Sequence, residues 1–280
     1  MKLFQRILVP VDGSTVSFHA LDWAIQIALG EQSVITTLCV IDVRVSHEAQ
    51  LYLPMQDHIS VSAETPSASK LSSTYQEWAE QLSREVQKRG AAVEVEVRPQ
   101  IINGIPYQEI ISHSSTYDLL VMGAWNTSAA YPGPFLAGKT LRQVVTHTHL
   151  PTLCVAGQPQ KLKTMLVAYD NSREAQDALQ LAATWSQAWG LTLIVLTVQP
   201  DGRWAQDLLQ EARRRAMPVV PKLVARGGHP IDVILEVAND YQCDLITLGV
   251  HSGHSLLGQT LGPVTDALLH THNLPLLLSH

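Results

Sequence analysis

The chain has 280 residues, of which 46% are hydrophobic and 16% charged, as is ordinary for a packed globular protein of one large or two smaller domains. Its formal net charge of −6 and pI near 6.0 exclude a general attraction to nucleic acid or anionic membrane, because neither finds a basic stripe to bind. No apolar run precedes Pro10 and Asp12 that could serve as a signal peptide, and no window approaches a membrane span. We therefore expect a cytoplasmic protein, in which a small polar or anionic ligand would need a local site.

Two copies of one unit make up the chain. The stretch "ILVPVDGS", which contains Asp12, returns 158 residues later as "MLVAYDNS", which contains Asp170. Farther along, the offset falls to 124 residues, and Gly138 corresponds to Gly262. The difference of 34 residues predicts an insertion in the first copy, between its second and third strands, at about residues 43–73.

Apolar, β-rich runs alternate with helical periodicity along both copies. The first copy is predicted to have strands near residues 5–11, 34–42, 92–98, 118–123 and 151–156, with helices near 16–30, 74–89, 106–115 and 139–148. The second is predicted to have strands near residues 163–169, 191–198, 219–225, 244–249 and 274–279, with helices near 173–188, 203–216, 230–240 and 260–271. This alternation predicts an α/β fold of two tandem, open, parallel five-stranded sheets flanked by helices, in domains 1–157 and 163–280.

The first strand of each copy ends in an acidic residue, Asp12 or Asp170. In an open parallel sheet, ligands bind beyond the carboxyl ends of the strands, so both carboxylates are candidate ligand contacts. The alternative is structural. A carboxylate at a strand-to-helix junction also accepts hydrogen bonds from nearby backbone N–H groups, and Ser14 and Ser172 are predicted as helix N-caps.

The whole chain resembles a tandem pair of universal stress proteins. The resemblance rests on the fivefold βα unit, on "LVPVDGS" at the end of the first strand, on a glycine loop after the fourth strand, and on "THTHLPTLCV" at Thr146–Val155. It implies a Rossmann-like fold of the adenine-nucleotide alpha-hydrolase type, with the halves packed as an internal pseudo-dimer through their last strands. It also implies ATP or a related adenine nucleotide as a candidate ligand, although none is required.

In nucleotide-binding members the loop reads Gly, two residues, Gly, nine residues, Gly and then Ser or Thr, and the strand-1 Asp faces the nucleoside. Transfer onto this sequence gives the candidate ligand residues Pro10, Val11, Asp12, Ile41, Met122, Gly123, Asn126, Gly138, Lys139 and Thr140 in the first half. In the second half it gives Asp170, Leu248, Gly249, Ser252, Gly253 and Gly262.

Both loops depart from the family pattern. In the first, Asn126 replaces the second glycine, eleven residues then precede Gly138, and Lys139 takes the hydroxyl position. In the second, Ser252 replaces the middle glycine and Pro263 replaces the hydroxyl residue, which removes an N–H that a phosphate would use. The sequence therefore predicts degenerate nucleotide loops in both halves.

Histidines offer a second candidate chemistry. Two pairs end the last predicted helix of each copy, His147 with His149 and His270 with His272. Residues two apart do not face each other on a helix, so we interpret these pairs as solvated helix ends whose charge complements the helix dipole. His251 and His254 lie in the second glycine loop and are candidate ligands for a metal or phosphate, the less favoured reading. No other metal site is predicted.

The stretch "GPFLAGKT" from Gly133 to Thr140 matches the spelling of a phosphate-binding P-loop. An enzyme of that class needs a strand that leads directly into the first glycine and a later strand that ends in a magnesium-binding Asp. Here the predicted fourth strand ends near Gly123, and the run that ends in Asp42 lies upstream. We predict no catalytic residues and at most weak ATPase activity.

Three cysteines, Cys39, Cys154 and Cys243, lie far apart in or beside apolar strand-like runs without CxxC or Cys–His spacing, which predicts buried structural thiols. Taken together, the sequence predicts a non-catalytic, tandem stress-response protein that binds a small ligand. The alternatives are an interaction or scaffold protein with vestigial pockets and, less favoured, a P-loop-like NTPase. A homodimer of the whole chain is left open.

Overall fold

A computed structural model describes residues 3–44, 68–124, 137–199, 205–250, 261–271 and 274–280. The first half contains β1 (Arg6–Pro10), α1 (Thr15–Glu31), β2 (Val34–Asp42), α2 (Ala68–Ala91), β3 (Val97–Gly104), α3 (Pro106–Ser114), β4 (Leu119–Gly123), α4 (Ala137–His147) and β5 (Thr152–Val155). The second contains β6 (Thr164–Ala168), α5 (Arg173–Trp189), β7 (Thr192–Val198), α6 (Ala205–Arg215), β8 (Lys222–Arg226), α7 (Pro230–Asp240), β9 (Leu245–Gly249), α8 (Pro263–Thr271) and β10 (Leu276–Ser279).

The strands of the described residues form one ten-stranded sheet in the order β3-β2-β1-β4-β5-β10-β9-β6-β7-β8. Neighbouring strands are parallel within each half, whereas β5 and β10 pair antiparallel, with Leu277 opposite Leu153. The two predicted five-stranded sheets are therefore joined edge to edge. Strand order reverses between β1 and β4 in the first half and between β6 and β9 in the second, and these are the places where such sheets bind ligands.

Helices on both faces of the sheet enclose two apolar layers. One layer contains Ile7, Trp23 and Trp185, which are almost fully buried, and it lies under α1 and α5. The other contains Leu8 and Leu141 and lies under the helices of the opposite face. Burial on both faces explains why the central strands are continuous apolar runs rather than alternating ones.

Serine caps begin the helix that follows the first strand of each half. Ser14 and Ser172 have extended backbones, and each side chain accepts a hydrogen bond from a backbone N–H three residues later. These bonds satisfy N–H groups that have no partner within the helix, so the predicted caps are confirmed. The same helices end at residues of left-handed backbone, Gln32 with φ 54° and Gly190 with φ 66°.

An aspartate fixes the amino end of the first strand in both halves. One Asp118 carboxylate oxygen accepts hydrogen bonds from two successive backbone N–H groups at the start of β1, at 3.0 and 2.8 Å. Asp244 does the same at the start of β6, at 2.7 and 2.9 Å. The two aspartates lie 126 residues apart, so they are a further product of the repeat.

The third strand of the first half begins later than expected. A strand was predicted near residues 92–98, but a turn with Glu94 at φ 59° occupies that stretch, and β3 begins at Val97. Pro99 lies inside the strand without breaking it. The carbonyl of Glu96 accepts a hydrogen bond from the N–H of Ile35 on β2. Because backbone groups alternate along a strand, the backbone nitrogen of Pro99 points away from β2, so its missing N–H costs no hydrogen bond between the strands.

Two other boundaries differ from the prediction. Strand β8 begins at Lys222 rather than near residue 219. Helix α2 begins at Ala68, so the last part of the predicted insertion is helical. The rest of the insertion, residues 45–67, lies outside the described residues. Within the described part of the chain, no helix has the length and apolarity that a membrane crossing requires.

Candidate functional site

The strand-1 carboxylates are held by the turns that lead into α1 and α5. Asp12 Oδ1 accepts hydrogen bonds from the backbone N–H of Ser14 at 3.0 Å and from its hydroxyl at 2.6 Å. Asp170 Oδ1 accepts one from the backbone N–H of Ser172 at 2.9 Å. Both turns pass through a left-handed residue, Gly13 or Asn171. The structural role proposed for these carboxylates is therefore present in both halves.

The environments of the two carboxylates differ. Asp12 is half-buried, whereas Asp170 is exposed to solvent. Beside Asp12, the indole of Trp78 on α2 packs over Gly13, where an added Cβ would lie 3.2 Å from the ring. Sequence reasoning did not single out Trp78, because it lies 65 residues after Gly13 in the chain. In the first half, the turn that holds the acidic residue thus lies against an aromatic ring.

Glycines at the ends of β4 and β9 allow a close approach of strand to helix. A Cβ on Gly123 would lie 2.9 Å from the carbonyl oxygen of Val16, in the first turn of α1. A Cβ on Gly249 would lie 2.6 Å from Cβ of Glu174, in the first turn of α5. Both predicted site glycines are therefore required by packing. They also place the end of each strand next to the turn that holds the acidic residue.

The predicted apolar contacts lie along the same strand ends. Ile41, Val11 and Met122 are buried at the ends of β2, β1 and β4, and Pro10 closes β1. Next to Ile41, the guanidinium of Arg44 binds the Asp42 carboxylate with two nitrogens, at 2.9 and 2.5 Å. Asp42, the one aspartate considered for a P-loop magnesium site, therefore already has a cationic partner.

The first turn of α4 contains Gly138, Lys139 and Thr140. Backbone N–H groups in the first turn of a helix lack partners within the helix, and the helix dipole favours an anion there. The Lys139 side chain is exposed and adds a positive charge. Asn126 and the rest of the loop that precedes α4 lie outside the described residues.

The corresponding helix start in the second half offers fewer donors. The backbone N–H of Gly262 donates to the carbonyl of Val250 at 2.9 Å, and Pro263 has no N–H. The hydroxyl of Thr265 donates to the carbonyl of Gly249 at 3.1 Å. These two contacts use hydrogen-bond donors that would otherwise be available to a phosphate. Of the other predicted residues, Leu248 is buried at the end of β9, and Ser252, Gly253, His251 and His254 lie outside the described residues.

Tyr169 occupies the position in the second half that Val11 has in the first. Its buried ring lies beside Asp170, and its hydroxyl donates to Asn171 Oδ1 at 2.7 Å. Burial raises the pKa of Tyr169, and the nearby positive charge of Arg215 only partly opposes this. The second half thus has a larger side chain with a polar contact at the position where the first half has a buried valine.

The repeat in the sequence could have revealed Arg215, the arginine near Tyr169. At an offset of 126 residues, Glu85 and Arg89 of α2 correspond to Glu211 and Arg215 of α6, and each pair forms an ion pair one helical turn apart. Arg89 instead stacks on Phe18 of α1, with its guanidinium 4.3 Å from the ring centre. The repeat preserves the arginine and changes what it contacts.

The cysteines and the described histidines show no arrangement for chemistry. Burial raises the pKa of the Cys39 and Cys243 thiols to about 12 and raises that of Cys154 as well. The rings of His147 and His270 donate to carbonyls one turn earlier, at 2.8 and 2.5 Å, which agrees with the helix-end interpretation. Within the described ranges, no three acidic, cysteine or histidine side chains are grouped as a metal site would require.

Comparisons with known proteins agree with this architecture. The model of the universal stress protein family matches residues 3–156, 161–210 and 202–280. A universal stress protein of Methanocaldococcus jannaschii is 27% identical over 161 residues, which are 57% of this chain and 85% of that protein. One from Synechocystis is 26% identical over 166 residues, 58% of this chain and 57% of that protein.

Solved structures show the same fold over the whole chain. The crystal structure of a universal stress protein from Archaeoglobus fulgidus covers 98% of this chain and 97% of its own, with a TM-score of 0.74 and 21% identity. A putative universal stress protein from Pseudomonas aeruginosa covers 99% of this chain and 94% of its own, with a TM-score of 0.66 and 15% identity. With family-model matches in both halves, the chain belongs to the universal stress protein family, as a tandem member.

Proposed function

We propose that this chain is a non-catalytic stress-response protein that binds an adenine nucleotide, such as ATP, in its first half. The observation that carries the proposal is the difference between the two helix starts. Lys139 supplies an N–H and an ammonium group where the corresponding Pro263 supplies neither, and the N–H of Gly262 is already bonded to Val250. An anion is therefore better accommodated at α4 than at α8.

The acidic end of β1 supports the same choice. Asp12 Oδ1 is occupied by Ser14, and among the described residues no hydrogen bond to Oδ2 is seen. A half-buried carboxylate oxygen at the sheet's switch point is suited to accept from a hydroxyl or amino group of a nucleoside. The indole of Trp78 packs against Gly13 in the same turn and offers an aromatic surface beside Asp12.

Calorimetric titration of the full chain with ATP tests the proposal, and we expect about one nucleotide per chain. Asp12→Asn keeps the turn with Ser14 and should weaken binding about tenfold, because a hydrogen bond to a charged group is lost. Lys139→Ala should weaken binding by about three- to tenfold. The matched variant Asp170→Asn should leave the affinity unchanged.

Two results would contradict parts of the proposal. A stoichiometry of two, or an equal loss in Asp170→Asn, would show that the second half binds nucleotide as well. Absence of binding, together with no nucleotide found by mass spectrometry after extraction of natively purified protein, would favour an interaction protein instead.

We expect no magnesium-dependent ATPase turnover. The strand before the "GPFLAGKT" stretch ends at Gly123, ten residues before Gly133, and Asp42 is paired with Arg44. Robust ATPase activity that disappears in Lys139→Ala would restore the P-loop interpretation.

A further inference from the structure

An open groove of about 1060 Å³ lies between the two halves, beside the C-terminal ends of α1 and α5. Those helices start at the carboxyl ends of β1 and β6, beside the candidate nucleotide sites, so the groove lies at the far end of each 17-residue helix from those sites. Its walls come from equivalent positions of the repeat, 158 residues apart: Leu3 and Lys161, Leu29 and Gln187, Glu31 and Trp189. Each half of the chain therefore contributes an equivalent side of the groove, but the two sides are chemically different.

A buried carboxylate lies in the lining of the groove. Glu31 is 6% exposed, and among the described residues it is the one aspartate or glutamate that is buried. Its two oxygens accept from the backbone N–H of Leu3 at 2.8 Å and from the indole N–H of Trp189 at 2.7 Å. Both donors are neutral groups, so the hydrogen bonds stabilise the carboxylate without cancelling its charge.

Two helix C-termini add negative potential at the same place. Helices α1 and α5 both end at the groove, and neither has a basic residue in its last turn. Other helices of the chain do have such residues, for example Lys88 and Arg89 at the end of α2. A helix C-terminus carries a partial negative charge that favours cations. Glu31 and the two helix ends thus act in the same direction, and among the described lining residues Lys161 carries the opposing charge.

The remaining lining is suited to an apolar group. Leu29 is 56% exposed, which is unusual for a large aliphatic side chain, and Leu3 also lines the groove. Trp189 is partly exposed, and an indole ring is the best aromatic partner for a cation.

From these observations we propose that the groove binds an amphipathic organic cation of the alkylammonium class. The ammonium group lies near Glu31 and Trp189, and the alkyl chain lies along Leu3 and Leu29. This site is independent of the nucleotide site and of the proposed function.

Calorimetric titration of the full chain with hexyltrimethylammonium, and separately with hexanoate, tests the sign of the charge that the groove selects. At low ionic strength we expect the cation to bind at millimolar or lower concentration and hexanoate not to bind. Lys161→Ala should tighten binding of the cation by about two- to fivefold, because a like charge is removed. The matched control is Lys163→Ala, which changes the net charge equally at an exposed position outside the groove lining and should have no such effect.

A steric variant tests the place of binding. Ala188 is exposed and lines the groove, so Ala188→Phe should fill the groove without disturbing the core and should weaken binding at least about tenfold. An unchanged melting temperature would establish that this variant is folded. Preference for hexanoate, weaker cation binding in Lys161→Ala, unchanged binding in Ala188→Phe, or no binding of the cation to the unaltered chain would each overturn the proposal.

Discussion

At the scale of single residues, the thiols are the clearest case of burial deciding reactivity. The pKa of Cys39 is raised to about 12, mainly by burial and further by Asp12, and that of Cys243 is also raised to about 12. Because the thiolate is the reactive form, we expect the folded protein to resist iodoacetamide at pH 8 and to be alkylated at all three cysteines after unfolding. Mass spectrometry of intact protein measures this. Rapid alkylation of the folded chain would contradict the assigned burial.

The same pKa shifts predict a dependence of stability on pH. An unfolded thiol ionises near its ordinary value of 9.0, whereas the folded ones stay protonated to about pH 12. The unfolded state therefore binds fewer protons above pH 9, and the free energy of unfolding should fall as the pH rises from 9 toward 12. Replacement of Cys39 or Cys243 by alanine should reduce this slope in urea unfolding experiments.

Some residues of the candidate site were visible in the sequence and others were not. Asp12, Ser14 and Gly123 were predicted because chain-local turns and the repeat reveal them. The use of the Gly262 N–H by the Val250 carbonyl was not predictable, since the two residues are twelve positions apart in the chain and no local pattern links them. The same holds for Trp78, which reaches Gly13 only through the packing of α2.

At the scale of elements, the contact between β9 and α5 predicts a strict requirement for glycine. Gly249→Ala would put a Cβ 2.6 Å from Cβ of Glu174 and 2.7 Å from its backbone carbonyl carbon, so strand or helix must shift. We expect the free energy of unfolding to fall by about 1–3 kcal/mol, as for other overpacked sites. Denaturation by urea measures the change.

Gly157 in the linker provides the control for this variant. A Cβ there would meet nothing within 4 Å, so Gly157→Ala should leave stability nearly unchanged. Equal stabilities of the two variants would show that the strand end does not need glycine.

Element order and type were predictable, whereas some boundaries were not. The alternation of apolar runs with helical periodicity gave the correct sequence of strands and helices through both halves. The start of β3 was wrong because the pattern "AVEVEV" resembles a strand, although its first residues form a turn and pairing with β2 begins only at Val97. Alternation records which side chains are buried, and it does not record where a neighbouring strand begins.

At the scale of the whole molecule, the β5–β10 pairing predicts that the two halves unfold together. Leu277 and Leu153 face each other across this junction and are both fully buried. Leu277→Ala should lower the free energy of unfolding by about 2–5 kcal/mol and shift one cooperative transition that includes both halves. Hydrogen exchange measured separately for β1 and β6 checks this expectation. Loss of protection in β6 with β1 unaffected would show that the halves are independent.

The pairing of the two halves was predicted from the sequence only in general terms. The repeat implies a twofold relation, and the family resemblance pointed to the last strands. The chemical difference between the two sides of the groove is visible in the sequence, because Glu31 of the first copy corresponds to Trp189 of the second. That these two side chains bond to each other across the junction follows from three-dimensional packing alone.

The same junction also limits how copies of the protein can associate through exposed strand edges. Two separate five-stranded sheets would expose four unpaired strand edges, and the antiparallel union of β5 with β10 leaves two, at β3 and β8. Exposed edges are templates for uncontrolled strand addition. Pro99 interrupts the outward N–H row of β3, and the charged Lys222 and Arg226 flank the short β8. Duplication within one chain therefore reduces the risk of aggregation as well as joining two copies of the same unit.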